Sequence, residues 1–172
     1  MWWGGGCGDG RGLGAIPAPK LFSSPKISQQ SESASCRALP GPRPDPTCTP
    51  GAIDPAVTQA DIQTTICRSG YTATVRPPVS ETDKLKREMY TAYGIPTGTA
   101  SELDHLVSLE LGGANDASNL WPEVGSQPNP KDSVENDLHK AVCSGKVTLA
   151  AAQQAIASDW QTAESVLGIS HG

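Results

Sequence analysis

The stretch ELDHLVSLELGGANDASNLWP, residues 102–122, decides the fold. Asp104 and His105 stand side by side in a segment, 103–111, with strand character. Neighbouring side chains of a regular strand point to opposite faces, so this pair reaches one site only where the strand twists or bulges. Gly112 and Gly113 then open a loop through Asn115 and Asp116, where glycine can supply a positive φ. Asn119, fourteen residues beyond His105, begins a return strand over 119–121 that Pro122 ends. Residues 123–130 read as a loop holding Gly125, Pro128 and Pro130. Pro130 suits the first turn of a helix running to about Cys143, with Gly145 terminating it. The spacing predicts a β-hairpin followed by a helix, on which a His, an Asn and a helix carboxylate or His converge.

Further out, Val134, Leu138 and Val142 recur every four residues, so that face of the predicted helix packs inward. Thr148 caps a last helix whose Leu149, Ala152, Ile156 and Trp160 form one stripe. Upstream, Thr58 and Asp61 cap a short helix with Val57 and Ile62 on one face. Residues 71–75 (YTATV) alternate and are β-branched, which predicts a short strand stopped by Pro77 and Pro78. Ser80 and Asp83 open a second helix through about Tyr90, with Leu85 and Met89 inward and Gly94 and Pro96 beyond its end. Lys84, Lys86 and Arg87 make its outer side basic, which usually marks only a solvated face. Trp121 and Trp160 read as core aromatics rather than base-stacking platforms, while Glu110 and Glu123 receive no role.

The chain has 172 residues, enough for one domain with a tail. Its 18 Gly and 15 Pro crowd toward the N-terminus, so residues 1–47 read as a disordered Gly/Pro-rich tail and 48–172 as the domain. The opening residues lack the basic start, apolar run and cleavage site of a secretory signal. Either the protein is cytosolic or its leader lies outside this chain, and Trp2-Trp3 before three glycines suggests a misassigned start. No window of 18 apolar residues exists to span a membrane. The formal charge of −5 excludes a basic nucleic-acid coat, though not a local site that borrows a metal's charge. Five cysteines (7, 36, 48, 67 and 143) lack zinc-finger spacing. Cys48, Cys67 and Cys143 permit one internal disulfide plus a free thiol, or a link to Cys36. Cys143 at a helix C-terminus makes a poor nucleophile, because the helix dipole disfavours a thiolate there.

The segment resembles the HNH nuclease family, the ββα-metal finger of many phage, homing and colicin-type endonucleases. Asp104, His105, Gly112, Gly113, Asn119, Leu120 and the helix with Lys131 and Asp132 carry the likeness. From about Cys48 to Trp160 the chain is similar to small, often secreted actinobacterial HNH-like proteins, in which CTPGAIDPAVTQ, TIC, VRPP, LDHLVSLELGG, NLWPE and KDSVEN recur in this order. The resemblance implies an α+β, mostly helical domain with a finger over about 102–144. It also implies a secreted or envelope location, with which a disulfide agrees. His105 becomes the general base, Asn119 the brace of the hairpin, and Asp104 the first ligand of a divalent ion, Mg²⁺ ahead of Mn²⁺ or Zn²⁺.

At the third family position this sequence departs from the pattern, which places a residue near the start of the finger helix. Asn129 lies ten residues beyond Asn119 but before Pro130, Asp132 thirteen and His139 twenty. Helix geometry sets Asp132, Glu135 and His139 on one face with Asn136 beside Asp132. Asp132 ranks first, Glu135 and Asn136 next, His139 fourth. The expected function is metal-dependent endonucleolytic hydrolysis of DNA or RNA. The alternative is a non-catalytic secreted module that keeps the finger as a scaffold.

Overall fold

The computed structural model describes residues 36–96, 98–125 and 127–169. Residues 1–35, including Cys7, and His171 lie outside the described residues. The described part is α+β. In chain order it holds α1 (Tyr71–Val75), α2 (Val79–Ala92), β1 (Ser101–His105), β2 (Leu120–Val124), α3 (Lys131–Cys143), α4 (Leu149–Asp159) and α5 (Ala163–Val166). β1 and β2 form one antiparallel pair, with Glu102 opposite Glu123 and Asp104 opposite Trp121.

The helices after the hairpin follow local chemistry. Pro130 sits at the cap of α3, and Ser144 with Gly145, at φ 74°, unwinds its other end. Val134, Leu138 and Val142 are buried, as their spacing requires. The Thr148 hydroxyl accepts the Ala151 N–H at 3.2 Å and starts α4. Leu149, Ala152, Ile156 and Trp160 then pack with the α3 stripe, Val57, Ile62, Ile66 and Leu111 into the main core. A smaller cluster of Met89, Tyr93, Leu106 and Trp121 joins α2 to the sheet.

Several expectations need correction. Residues 71–75 form the helix α1, not a strand. Five alternating residues carry too little periodicity to outweigh their setting, between Gly70 at φ 79° and the extended Arg76. The Thr58 segment is a run of turns instead of a helix, although the Thr58 hydroxyl donates to the Asp61 carboxylate at 2.6 Å and Val57 and Ile62 are buried. α2 begins at Val79 behind Pro78, ahead of Ser80. β1 ends at His105, and the chain continues into a 3-10 turn over Leu109–Leu111. Pro122 lies within β2 rather than after it, because a strand in a two-stranded sheet has one edge without ladder partners.

Residues 36–47, read as tail from composition, pack on the domain. Cys36 is joined to Cys48, and the Trp160 indole N–H donates to the Pro42 carbonyl at 2.7 Å. Arg43 pairs with Asp159 at 2.8 Å, and the Asp45 N–H donates to the Tyr93 hydroxyl. A second disulfide, Cys67–Cys143, ties the end of α3 to the turns before α1. No helix among the described residues is long and apolar enough to cross a membrane.

Candidate functional site

β1 brings Asp104 and His105 to one cleft, of about 270 Å³, because the strand ends at His105 and the alternation ends with it. Glu102, Glu110, Asp132 and Glu135 line the same cleft, with Arg76 the one arginine on its wall among the described residues. The sequence-expected site residues His105, Asp104, Asp132 and Glu135 are thus assembled together. Asn136 is exposed and spends its amide on the Asp132 carbonyl at 2.7 Å. His139 is not among the residues lining the cleft and reaches only Glu110 on its wall. Its Nε2–H donates to the Ile66 carbonyl at 2.9 Å, and its Nδ1 lies 3.9 Å from Glu110.

The His105 ring is held in one tautomer. The Asn115 amide nitrogen donates to the Val75 carbonyl at 2.8 Å, which turns its Oδ1 toward His105 Nε2 at 2.9 Å. A carbonyl oxygen only accepts, so Nε2 carries the proton and Nδ1 keeps its lone pair. Burial lowers the His105 pKa below the usual value, so the imidazole is neutral at pH 7.

Asn119 is fully buried. Its Oδ1 accepts the Val107 N–H at 2.9 Å, while its Nδ2 donates to the carbonyls of Val107 at 2.9 Å and Ala114 at 3.0 Å. The side chain therefore fastens the return strand to the segment that leaves His105. Its action on His105 runs through backbone rather than by contact.

Lys131 in the first turn of α3 is 0% exposed. Its ammonium donates to Asp104 Oδ2 at 2.8 Å, to the His105 carbonyl at 2.6 Å and to Glu135. Burial alone would lower its pKa, but Asp104 and Glu135 outweigh that and hold it above the ordinary lysine value. Burial pushes Glu135 upward against the pull of Lys131. Asn129, just ahead of the helix, accepts the Lys131 N–H on Oδ1 at 2.9 Å and donates through Nδ2 to Glu102.

Behind these groups lies Glu123, 2% exposed, whose two carboxylate oxygens receive no hydrogen bond from any described residue. Burial, with the Asp104 and Glu102 charges and a hydrogen bond from the protonated acid to Asp104 adding to it, raises its pKa to about 8. One oxygen each of Glu102, Asp104 and Glu123 lie within 4.8 Å of one another. Cys67, His139 and Cys143 also cluster, but the two sulfurs are bonded to each other and offer no thiolate.

Lys131, Glu123, Asn115 and Glu102 carry no role in the sequence reading. Two of them left a pattern there: Lys131 and Glu135 are four apart on a helix, and Glu102 and Asp104 share a strand face by their spacing of two. Glu123 joins that face only through the strand register. Comparison of the chain with protein-family models, curated proteins and solved structures returns no match.

Proposed function

We propose that the protein is a metal-dependent endonuclease hydrolysing phosphodiester bonds in DNA or RNA, with β1, β2 and α3 acting as a ββα-metal finger. The observation that carries this reading is the single cleft that a neutral, tautomerically fixed His105 shares with Glu102, Asp104, Asp132 and Glu135. So acidic a cleft repels a phosphodiester unless a cation sits in it. Its oxygen donors suit Mg²⁺ first, then Mn²⁺ or Zn²⁺. Asp104 is the first ligand, and Asp132 and Glu135 line the same cleft from α3. When bound, the ion supplies positive charge against the charge that builds on the phosphate and on the leaving oxygen.

His105 acts as general base through Nδ1. It takes a proton from water as the water oxygen bonds to phosphorus and the bond from phosphorus to the leaving oxygen breaks with its electron pair. Asn115 keeps the ring in the required tautomer, Asn119 fixes the backbone that carries it, and Arg76 offers a guanidinium to substrate phosphate. The two disulfides favour an oxidising compartment, which supports a secreted protein.

The test is supercoiled plasmid incubated with the protein and Mg²⁺, Mn²⁺ or Zn²⁺, beside His105→Ala. Metal-dependent nicking that falls about 10²–10⁴-fold in the variant is expected. A folded His105→Ala that nicks at the wild-type rate refutes the assignment. One observation favours the alternative, a non-catalytic secreted module with the finger as scaffold: the Lys131 ammonium already pairs with Asp104 and Glu135. Folded wild-type protein that nicks with none of the metals decides for that alternative.

A further inference from the structure

We propose that Glu102, Asp104 and Glu123, on the hairpin itself, form a binding site for one hard divalent cation, and that α3 closes it with Lys131 instead of supplying ligands. As the cofactor site of the hydrolysis this rests on the function proposed above; as a cation site it rests on geometry alone. The register sets Glu123 directly across from Glu102, and Asp104 follows two residues along the same strand face. Their nearest oxygens lie within 4.8 Å of one another, a spacing that oxygen ligands at about 2.1–2.4 Å from one ion can span.

The independent sign is Glu123. Its side chain is 2% exposed and accepts no hydrogen bond from a described residue, so its charged form is stable there only beside a cation. The neighbouring groups are arranged to leave room for an ion. Asn129 Nδ2 occupies Glu102 Oε1, which leaves Oε2 without a donor. Lys131 Nζ occupies Asp104 Oδ2, and the other partner of that carboxylate is the Glu123 acid, whose proton an ion would replace. Both oxygens of Glu123 are free of donors among the described residues. With Glu135 added, four carboxyl groups share one ammonium, so a divalent ion offsets the negative charge that appears as Glu123 gives up its proton. The all-oxygen donor set selects Mg²⁺, Ca²⁺ or Mn²⁺ over softer metals. Glu102 and Asp104 line the cleft and give the ion its way in. Glu135 stands apart from this set, because the Lys131 ammonium lies between it and Asp104.

The experiment is Mn²⁺ titration of the full chain, with free Mn²⁺ read by electron paramagnetic resonance, on the wild type and single variants. One bound Mn²⁺ per chain is expected, displaced by Mg²⁺ or Ca²⁺. Glu123→Gln and Glu102→Gln should each weaken binding by about tenfold or more. Asp132→Asn should weaken it by no more than about threefold, the effect of one nearby charge. Glu102 is only half-buried, so Glu102→Gln tests the site even if Glu123→Gln fails to fold. Wild-type protein that binds no Mn²⁺, or binding that Asp132→Asn abolishes and Glu102→Gln leaves intact, overturns the proposal. Binding that depends on Glu102 and Glu123 without plasmid nicking sustains the site and sinks the nuclease. Metal-dependent nicking with binding indifferent to both residues does the reverse.

Discussion

Replacing Asn119 by alanine removes three hydrogen bonds at once from the centre of the hairpin. The amide meets both the N–H and the carbonyl of Val107 at 2.9 Å, and the Ala114 carbonyl at 3.0 Å. Val107 is 0% exposed, so its two backbone groups are left buried without partners, while the half-buried Ala114 carbonyl can turn to water. Each orphaned group costs about 1–3 kcal/mol, which places Asn119→Ala near 4 kcal/mol of destabilisation, or about 2 M in the urea midpoint for an m-value near 2 kcal/mol/M. Urea unfolding followed by both far-UV circular dichroism and tryptophan fluorescence measures this, with an unchanged m-value expected. Asn119→Asp is the sharper companion. It keeps an acceptor for the Val107 N–H but turns an oxygen toward two carbonyls, so it regains stability as falling pH protonates the new carboxyl. A loss below about 1 kcal/mol for Asn119→Ala refutes the brace, since that is the scale of an ordinary surface change.

Three further outcomes are expected. Replacing the Cys67–Cys143 pair by alanine, which opens a loop with a sequence separation of 76, should cost about 4.5 kcal/mol in the chain-entropy account. Removing Cys36–Cys48, with a separation of 12, should cost about 2.8 kcal/mol, so equal losses in denaturant titrations would contradict that ordering. Lys131→Met leaves the half-buried Asp104 and Glu135 without their cation and should cost about 3 kcal/mol by the same titration, whereas a neutral effect would mean that solvent in the cleft stabilises those carboxylates as well as the ammonium does. In chelator, the protein should lose stability as pH rises from about 5 to about 8, because Glu123, facing Asp104, Glu102 and Lys131, has a folded pKa of about 8 against an ordinary unfolded carboxyl. The extra stability is complete below the unfolded pKa and gone above the folded one; a Glu123→Gln variant with the same pH slope would show that another group is responsible.

The hairpin's paired glycines show two different requirements behind one motif. Gly112 adopts φ 72°, and a Cβ there would also lie 2.8 Å from the Val57 side chain. Gly113 needs no unusual φ, but a Cβ would fall 1.7 Å from the Val107 carbonyl oxygen, in the space where Asn119 makes its bonds. The sequence shows the pair; only the packing shows that the second glycine makes room for the brace.

What the sequence by itself determined is whatever depends on residues within a turn or two. α3 and α4 follow from Pro130, Thr148 and stripes repeating every three or four residues. The meeting of β1 and β2 follows from the run around Asp104 and His105, the Gly-rich loop and Asn119. Short pieces were not legible, because local preference in residues 71–75 is worth less than the tertiary setting that makes them α1. Residues 36–47 were not legible either, since a disulfide, the Trp160 indole and the Asp159 carboxylate hold them from far along the chain. The site divides in the same way. Asp104, His105, Asp132 and Glu135 stand out as residue types at telling places. The Lys131 ammonium among their oxygens is there only because the start of α3 meets the hairpin, and Glu123 joins them only because the strand register sets it across from Glu102, approaches set by tertiary pairing and not by any neighbouring residue.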